Sequence, residues 1–185
     1  MYNDLVDQAE LFQEAMKYYA NILTPFSSLV IKKIEEVLSF NLPVSMIATS
    51  HGVIWRDNPA QIIEKYLEWA KGYQENQITI VYDTMWNATR KMAEGIAEGI
   101  KSADKGVTVK LFNAANSDKN DVITEIFKSK AILVGSSTVN KSIMHGTAGI
   151  LGMIVGLGLK NKKAAAFGSY GWSGESVQYS SSKLT

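Results

Sequence analysis

From residue 77 onward, short β-branched runs alternate with helix-length segments, and that rhythm restricts the chain to folds built from βαβ units. Runs at 78–82, 107–112, 131–135 and 164–168 read as strands, with helices predicted over 88–101, 119–128, 141–157 and 173–184. Right-handed crossovers bring these four strands into one parallel sheet. The chain stops within the helix after the fourth strand, so a closing strand is expected to be absent and the fourth strand to form an open sheet edge.

The preceding 76 residues read differently. Leu11, Phe12, Ala15, Met16, Tyr19 and Ile22 recur at helical spacing up to Pro25, and a second amphipathic stretch covers 26–38. Pro43 opens an apolar run at 44–48 that reads as a strand, and Asn58-Pro59 starts a helix carrying Ile62, Ile63, Tyr66, Leu67 and Trp69. That helix fades into Gly72-Tyr73-Gln74-Glu75-Asn76, which places a domain boundary between 76 and 77.

Composition excludes several chemistries. With no cysteine, the chain has no disulfide, thiolate nucleophile or cysteine-held metal, and two histidines, His51 and His145, cannot complete a polyhistidine site. A net charge of +1 gives no whole-chain attraction to nucleic acid or anionic lipid. The acidic N-terminus lacks the basic flank and apolar core of a signal peptide, so a cytoplasmic location is expected. Residues 142–159 carry no Lys, Arg, Asp or Glu, but their five glycines and polar side chains suit a helix against a parallel sheet better than a membrane span.

In an open parallel sheet, ligands bind beyond the carboxyl ends of the strands. After the first strand come Asp83-Thr84-Met85-Trp86-Asn87-Ala88-Thr89, where hydroxyls and backbone amides at a helix start can receive an anion. A plain capped turn explains the same residues, and neither a dinucleotide-binding glycine pattern nor a P-loop ending is present. After the third and fourth strands come Gly135-Ser136-Ser137-Thr138-Val139-Asn140 and Gly168-Ser169-Tyr170-Gly171-Trp172-Ser173-Gly174. Small residues there let the backbone approach a flat ligand, and Tyr170 or Trp172 can stack on its face. Read alone, Trp172 could equally be a surface aromatic closing a loop. One anion loop and two planar-ligand loops on the same edge together point to flavin mononucleotide, FMN.

These three segments also resemble the FMN loops of the flavodoxin-like domain in flavodiiron proteins. The phrase Ala48-Thr49-Ser50-His51-Gly52-Val53-Ile54-Trp55-Arg56-Asp57-Asn58-Pro59 is similar to the end of that family's metallo-β-lactamase-like domain, and Tyr18-Tyr19-Ala20-Asn21-Ile22-Leu23-Thr24-Pro25-Phe26 fits the same family. The resemblance implies an α/β fold: residues 1–76 as a mainly helical remnant of the metallo-β-lactamase-like domain, and 77–185 as a flavodoxin-like, doubly wound parallel sheet without its closing strand. It implies FMN contacts at Thr84, Met85, Trp86, Asn87, Ala88, Thr89, Ser137, Thr138, Val139, Asn140, Ser169, Tyr170, Gly171, Trp172 and Gly174, and a metal ligand at His51.

In that family a diiron centre reduces nitric oxide or dioxygen with electrons from FMN. A rubredoxin, separate or fused, reloads the flavin and is itself served by an NADH-dependent reductase, and homodimers bring flavin and iron together. The other iron ligands would lie upstream of Met1, so the resemblance implies an internal fragment. Three expectations follow: the FMN half of a nitric oxide or oxygen reductase, a stand-alone flavodoxin-like carrier, or an inactive remnant. His51 separates the first two, since a carrier has no use for a metal histidine; its missing co-ligands favour a capped, buried histidine instead.

Overall fold

In the computed structural model, which describes residues 1–184, contacts divide the chain between Tyr73 and Gln74. In the first unit, Asp7 caps helix α1 (Gln8–Tyr18) by accepting a 2.8 Å bond from the Glu10 N–H, satisfying one of the donors a helix start leaves open. The helix then widens into a π turn, Tyr19–Leu23, in which Tyr19 and Ala20 are fully buried. A 3-10 turn with Pro25 leads directly into α2 (Ser27–Ser39). Strands β1 (Ile47–Ala48) and β2 (Ile54–Trp55) form a short antiparallel hairpin, and α3 (Ala60–Ala70) follows. Trp69 packs with Tyr19 and Tyr66, ring centroids 5.6 Å away in each case, so this unit is centred on aromatic side chains. Buried Asn3 ties the N-terminus to the segment after β2, accepting from the N–H groups of Arg56 and Asp57.

In the second unit, strands β3 (Glu75–Asp83), β4 (Thr108–Asn113), β5 (Ser129–Val139) and β7 (Lys163–Ser169) are all parallel, in the order β4-β3-β5-β7. Strand β6 (Ser142–Ile143) folds back antiparallel on β5. Helices α4 (Ala88–Ala103), α5 (Lys119–Lys128), α6 (His145–Leu157) and α7 (Glu175–Leu184) complete the unit. Side chains alternate across the strands, as a sheet covered on both faces requires. Val81, Ile132 and Val134 meet α5 and α6 on one face, whereas Ile80, Tyr82 and Phe167 meet α4 on the other. Gly135 is paired with Phe167, and a Cβ at Gly135 would lie 2.3 Å from the Phe167 ring; only glycine permits that packing.

Several boundaries differ from the sequence expectation, each for a local reason. The strand expected at 44–48 shrinks to Ile47–Ala48, because its partner is the two-residue β2 beyond the turn at Gly52, a strand the sequence reading did not assign. Pro25 does not separate two helices, since the π and 3-10 turns carry the helical path through it. Strand β3 starts at Glu75, so the boundary drawn at 76/77 falls inside it. Strand β5 runs on to Val139, which makes Ser137, Thr138 and Val139 strand residues rather than loop residues. The helix expected from 141 starts at His145, because Asn140 and Lys141 make a tight turn and Ser142–Ile143 pairs back on β5. The last helix starts at Glu175 rather than 173. Strand β7 pairs only with β5 among the described residues. No helix among them is long and apolar enough to cross a membrane.

Candidate functional site

The strand register brings Asp83, Ser136 and Gly168 into one row at the carboxyl edge of the sheet. Asp83 is buried there, and its carboxylate accepts from the Thr84 N–H at 2.8 Å and the Gly146 N–H at 3.2 Å. A carboxylate at a helix N-terminus is favoured by the dipole and by the unpaired amides of the first turn, so Asp83 fastens the start of α6 to the end of β3. Gly146 is required by that contact. A Cβ there would stand 2.7 Å from Asp83 Oδ2 and 2.9 Å from the Ala114 backbone. Ser136 holds the same helix by accepting from the Met144 N–H at 2.9 Å.

Three hydroxyls bind the loops together behind this row. Thr89 Oγ1, fully buried on the first turn of α4, lies 3.0 Å from Ser137 Oγ and 2.8 Å from Ser169 Oγ, and the two serines are 3.1 Å apart. The Met85 N–H donates to Ser137 Oγ as well. Thr89 therefore faces inward, although the sequence reading turned its hydroxyl toward an anion. In front of the triangle, Asn87 takes a left-handed conformation (φ 63°) as α4 begins, and no side chain caps that helix. The N–H groups of Asn87, Ala88 and Thr89 donate to no group among the described residues. Thr84 Oγ1 is shielded from solvent and also lacks a partner among them.

Beyond the strand ends opens a cavity of about 660 Å³, lined by Met85 and Trp86, by Thr138, Val139, Asn140 and Lys141, and by Gly171, Trp172 and Ser173. The two tryptophans stand out from the protein, Trp86 85% exposed and Trp172 95% exposed. Of the expected contact residues, Met85, Trp86, Thr138, Val139, Asn140, Gly171 and Trp172 share this cavity. Thr84, Asn87, Ala88, Thr89, Ser137, Ser169, Tyr170 and Gly174 do not line it. Thr89, Ser137 and Ser169 form the hydroxyl triangle, Thr84, Asn87 and Ala88 lead from β3 into α4, and exposed Tyr170 lies against Gly174, where a Cβ would come within 3.0 Å of its ring. The sequence reading placed Asp83 and Ser173 in its loops but not among the contacts, and it missed the roles of Gly146, which meets Asp83 at the start of α6, and Lys141, which lines the cavity with Ser173. The Asn-Lys pair between two apolar runs was the available signal for Lys141, hidden by extending the helix back over it.

His51 lies in the first unit and is exposed, not buried as the sequence favoured, because the β1–β2 turn carries it outward. Its ring is 5.6 Å from that of Tyr18, and it borders a cavity of about 300 Å³ that Glu14, Tyr18 and Tyr66 also line. Burial pushes the Tyr66 hydroxyl above its ordinary value, with Tyr18 and Tyr19 adding to the effect. No group of three or more His, Cys, Asp or Glu side chains among the described residues could hold a metal ion. These residues therefore do not fit a diiron centre.

The strand order, the uncapped helix start beyond β3 and the cavity at the carboxyl edge define a flavodoxin-like α/β protein. The family model described as flavodoxin matches residues 80–185. Across its whole length the chain is 60% identical to anaerobic nitric oxide reductase flavorubredoxins of Klebsiella pneumoniae and Aliivibrio salmonicida, spanning 38% and 37% of those proteins. Rubredoxin oxygen:oxidoreductase from Desulfovibrio gigas superposes with a TM-score of 0.94 at 37% identity, covering 99% of this chain and 46% of its own. The flavodiiron protein from Giardia intestinalis gives 0.91 at 31% identity, covering 99% and 44%. The chain belongs to the flavodiiron family. Flavodoxin domains bind FMN, and flavodiiron proteins have a diiron centre in the full-length protein.

Proposed function

We propose that the second unit binds FMN at the carboxyl edge of its sheet and acts as the electron-transfer half of a flavodiiron nitric oxide or oxygen reductase. The observation that carries this reading is the meeting of two kinds of subsite on one edge. The unpartnered Thr84 hydroxyl and the uncommitted amides at the start of α4 are the donor set a terminal phosphate needs. The adjoining cavity has the volume and the aromatic walls a flavin ring needs.

FMN fits these residues. Thr84 and the amides of Asn87, Ala88 and Thr89 would hold the phosphate. Met85, Trp86, Thr138, Val139, Asn140, Gly171 and Trp172 would border the ring, with Tyr170 and Gly174 shaping the outer loop and Ser137 and Ser169 fixing the loops from behind. The bound group supplies reversible electron storage; this chain orients it, shields the surfaces it covers and tunes its potential through nearby backbone and charge. Names such as flavorubredoxin and rubredoxin oxygen:oxidoreductase support a rubredoxin-type electron donor. An NADH-dependent reductase behind that donor and a homo-oligomeric assembly complete the reading.

A stand-alone flavin carrier is the second reading, favoured by His51 standing outside any group of three or more metal-ligating side chains among the described residues. Titration of the flavin-free chain with FMN, riboflavin and FAD, followed by absorption and fluorescence, tests the common part. One FMN per chain, held more tightly than riboflavin, supports flavin binding, and failure to retain FMN overturns it. Fast reduction of the bound flavin by reduced rubredoxin then favours the flavodiiron route. Slow reduction with the flavin fully bound favours the carrier.

A further inference from the structure

Among the described residues, Lys141 is the only charged one lining the aromatic-walled cavity. It forms no ion pair or hydrogen bond with any described residue, so its charge is not neutralised within the chain. Its backbone is unusual too. Asn140 (φ 49°) and Lys141 (φ 58°) are consecutive left-handed residues in the two-residue turn joining β5 to β6, pinned by the pairings Val139 with Ser142 and Thr138 with Ile143. Such turns favour Asn followed by Gly, because the second position also needs a positive φ. A lysine there keeps a conformation that L side chains rarely adopt, and what it adds over glycine is a mobile cation at the cavity wall.

We propose that Lys141 sets the redox preference of this site, favouring the reduced over the oxidised form of a bound flavin; this rests on the FMN reading above. Two-electron reduction of the ring, with uptake of one proton, leaves it one negative charge richer. A cation at the cavity wall interacts more favourably with that product than with the neutral oxidised ring, by an amount that solvent at this exposed edge keeps modest. Asp83, held by the amides of Thr84 and Gly146, is the same in the parent and in every Lys141 variant, so its field drops out of the comparison between them.

The test compares the full chain with Lys141→Gln, Lys141→Arg and Lys141→Gly. FMN affinity is read by fluorescence titration, and the midpoint potential by reduction with dithionite against an indicator dye. Lys141→Gln is expected to lose about three- to tenfold in preference for the reduced flavin, a fall of about 15 to 30 mV for a two-electron couple. Lys141→Arg retains the parent potential. Lys141→Gly shows the same fall as the glutamine variant even though it relaxes the turn and raises thermal stability, an outcome that a purely structural role does not produce. Higher salt narrows the gap between parent and Lys141→Gln. FMN bound with an unchanged potential in Lys141→Gln, or an equal fall in the glutamine and arginine variants, overturns the proposal and leaves FMN binding intact. Failure of the parent to bind FMN overturns both.

Discussion

Replacing Thr84 with valine is expected to have opposite effects on the empty protein and on its complex with FMN. Thr84 Oγ1 is shielded from water and has no hydrogen-bond partner among the described residues. A buried polar group in that position costs about 1 to 3 kcal/mol, because it gives up water and gains nothing. Valine has nearly the same shape and no hydroxyl, so Thr84→Val should stabilise the flavin-free protein by about 1 kcal/mol, the low end of that range, since one hydroxyl can relax part of its own penalty. With FMN present, the same hydroxyl meets a charged phosphate oxygen, and a bond to a charged acceptor contributes about 1.5 to 3 kcal/mol. Its loss should weaken FMN about 10- to 150-fold at roughly 1.4 kcal/mol per tenfold. Riboflavin, which has no phosphate, should bind as it does to the parent. Urea denaturation of the flavin-free protein and titration with both flavins measure the three quantities. Equal losses for FMN and riboflavin would refute the phosphate assignment, and a destabilised flavin-free protein would show that Thr84 has an unrecognised structural partner.

Trp172→Ala should weaken FMN about three- to tenfold, the share of stacking beyond area burial, and raise the fluorescence of the bound flavin; unchanged affinity and fluorescence would make Trp172 a simple surface aromatic. Gly168→Ala should destabilise the chain by about 1 to 3 kcal/mol, lowering the melting temperature by roughly 2 to 4 °C per kcal/mol, because the new methyl would lie 2.4 Å from the Ser136 carbonyl oxygen and 2.6 Å from Ser176 Oγ. Half-buried Lys162 donates to the carbonyls of Phe127 and Ser129, and burial lowers its ammonium from 10.5 to about 8. The unfolded chain therefore holds more protons between pH 8 and 10.5, so stability relative to Lys162→Met should rise with pH through that window, by about 1 to 2 kcal/mol once solvent screening is allowed for. A pH-independent difference between the two denaturation curves would show that the ammonium is not disfavoured in the fold.

What the sequence made legible follows from which interactions are local. The β3, β4, β5 and β7 runs were visible because short, largely apolar stretches recur between helix-length segments, most clearly in the central strands where Ile80, Val81, Ile132 and Val134 are buried, and the helices between them carry their own periodicity. Strand β6 was not visible: two residues, Ser142 and Ile143, have no pattern of their own and become a strand only by pairing with Thr138 and Val139. The pairing of Asp83 with Gly146 was missed for a similar reason. Their meeting depends on where α6 starts, 63 residues along the chain, and neither residue type is unusual at its own position. The loop motifs containing Trp86 and Trp172 could be read because an exposed tryptophan beside small or polar residues is hard to explain by packing. The inward turn of Thr89 could not, since a hydroxyl at a helix start can equally well face the solvent, and only its two serine neighbours decide the matter.

Those serine neighbours also bear on how the site can bind without prior rearrangement. A hydroxyl donates once, so three hydroxyls within 2.8 to 3.1 Å of one another can close a ring in which each donates to the next, with the Met85 amide as a fourth donor. Thr89 belongs to α4, Ser137 to β5 and Ser169 to β7, so the ring ties three separately positioned elements together behind the cavity. Each cavity wall leaves a tied point within a few residues: Trp86 follows Met85, Thr138 follows Ser137, and Trp172 stands three residues after Ser169. The tryptophans can therefore be almost fully exposed while the backbone carrying them remains anchored. A flat ligand inserted between such walls loses little affinity to ordering the protein, because the backbone is tied behind the cavity and mainly the exposed side chains remain to be fixed. Exposed aromatics on untethered loops would have to be ordered at the moment of binding, and the area they cover would be offset by that cost.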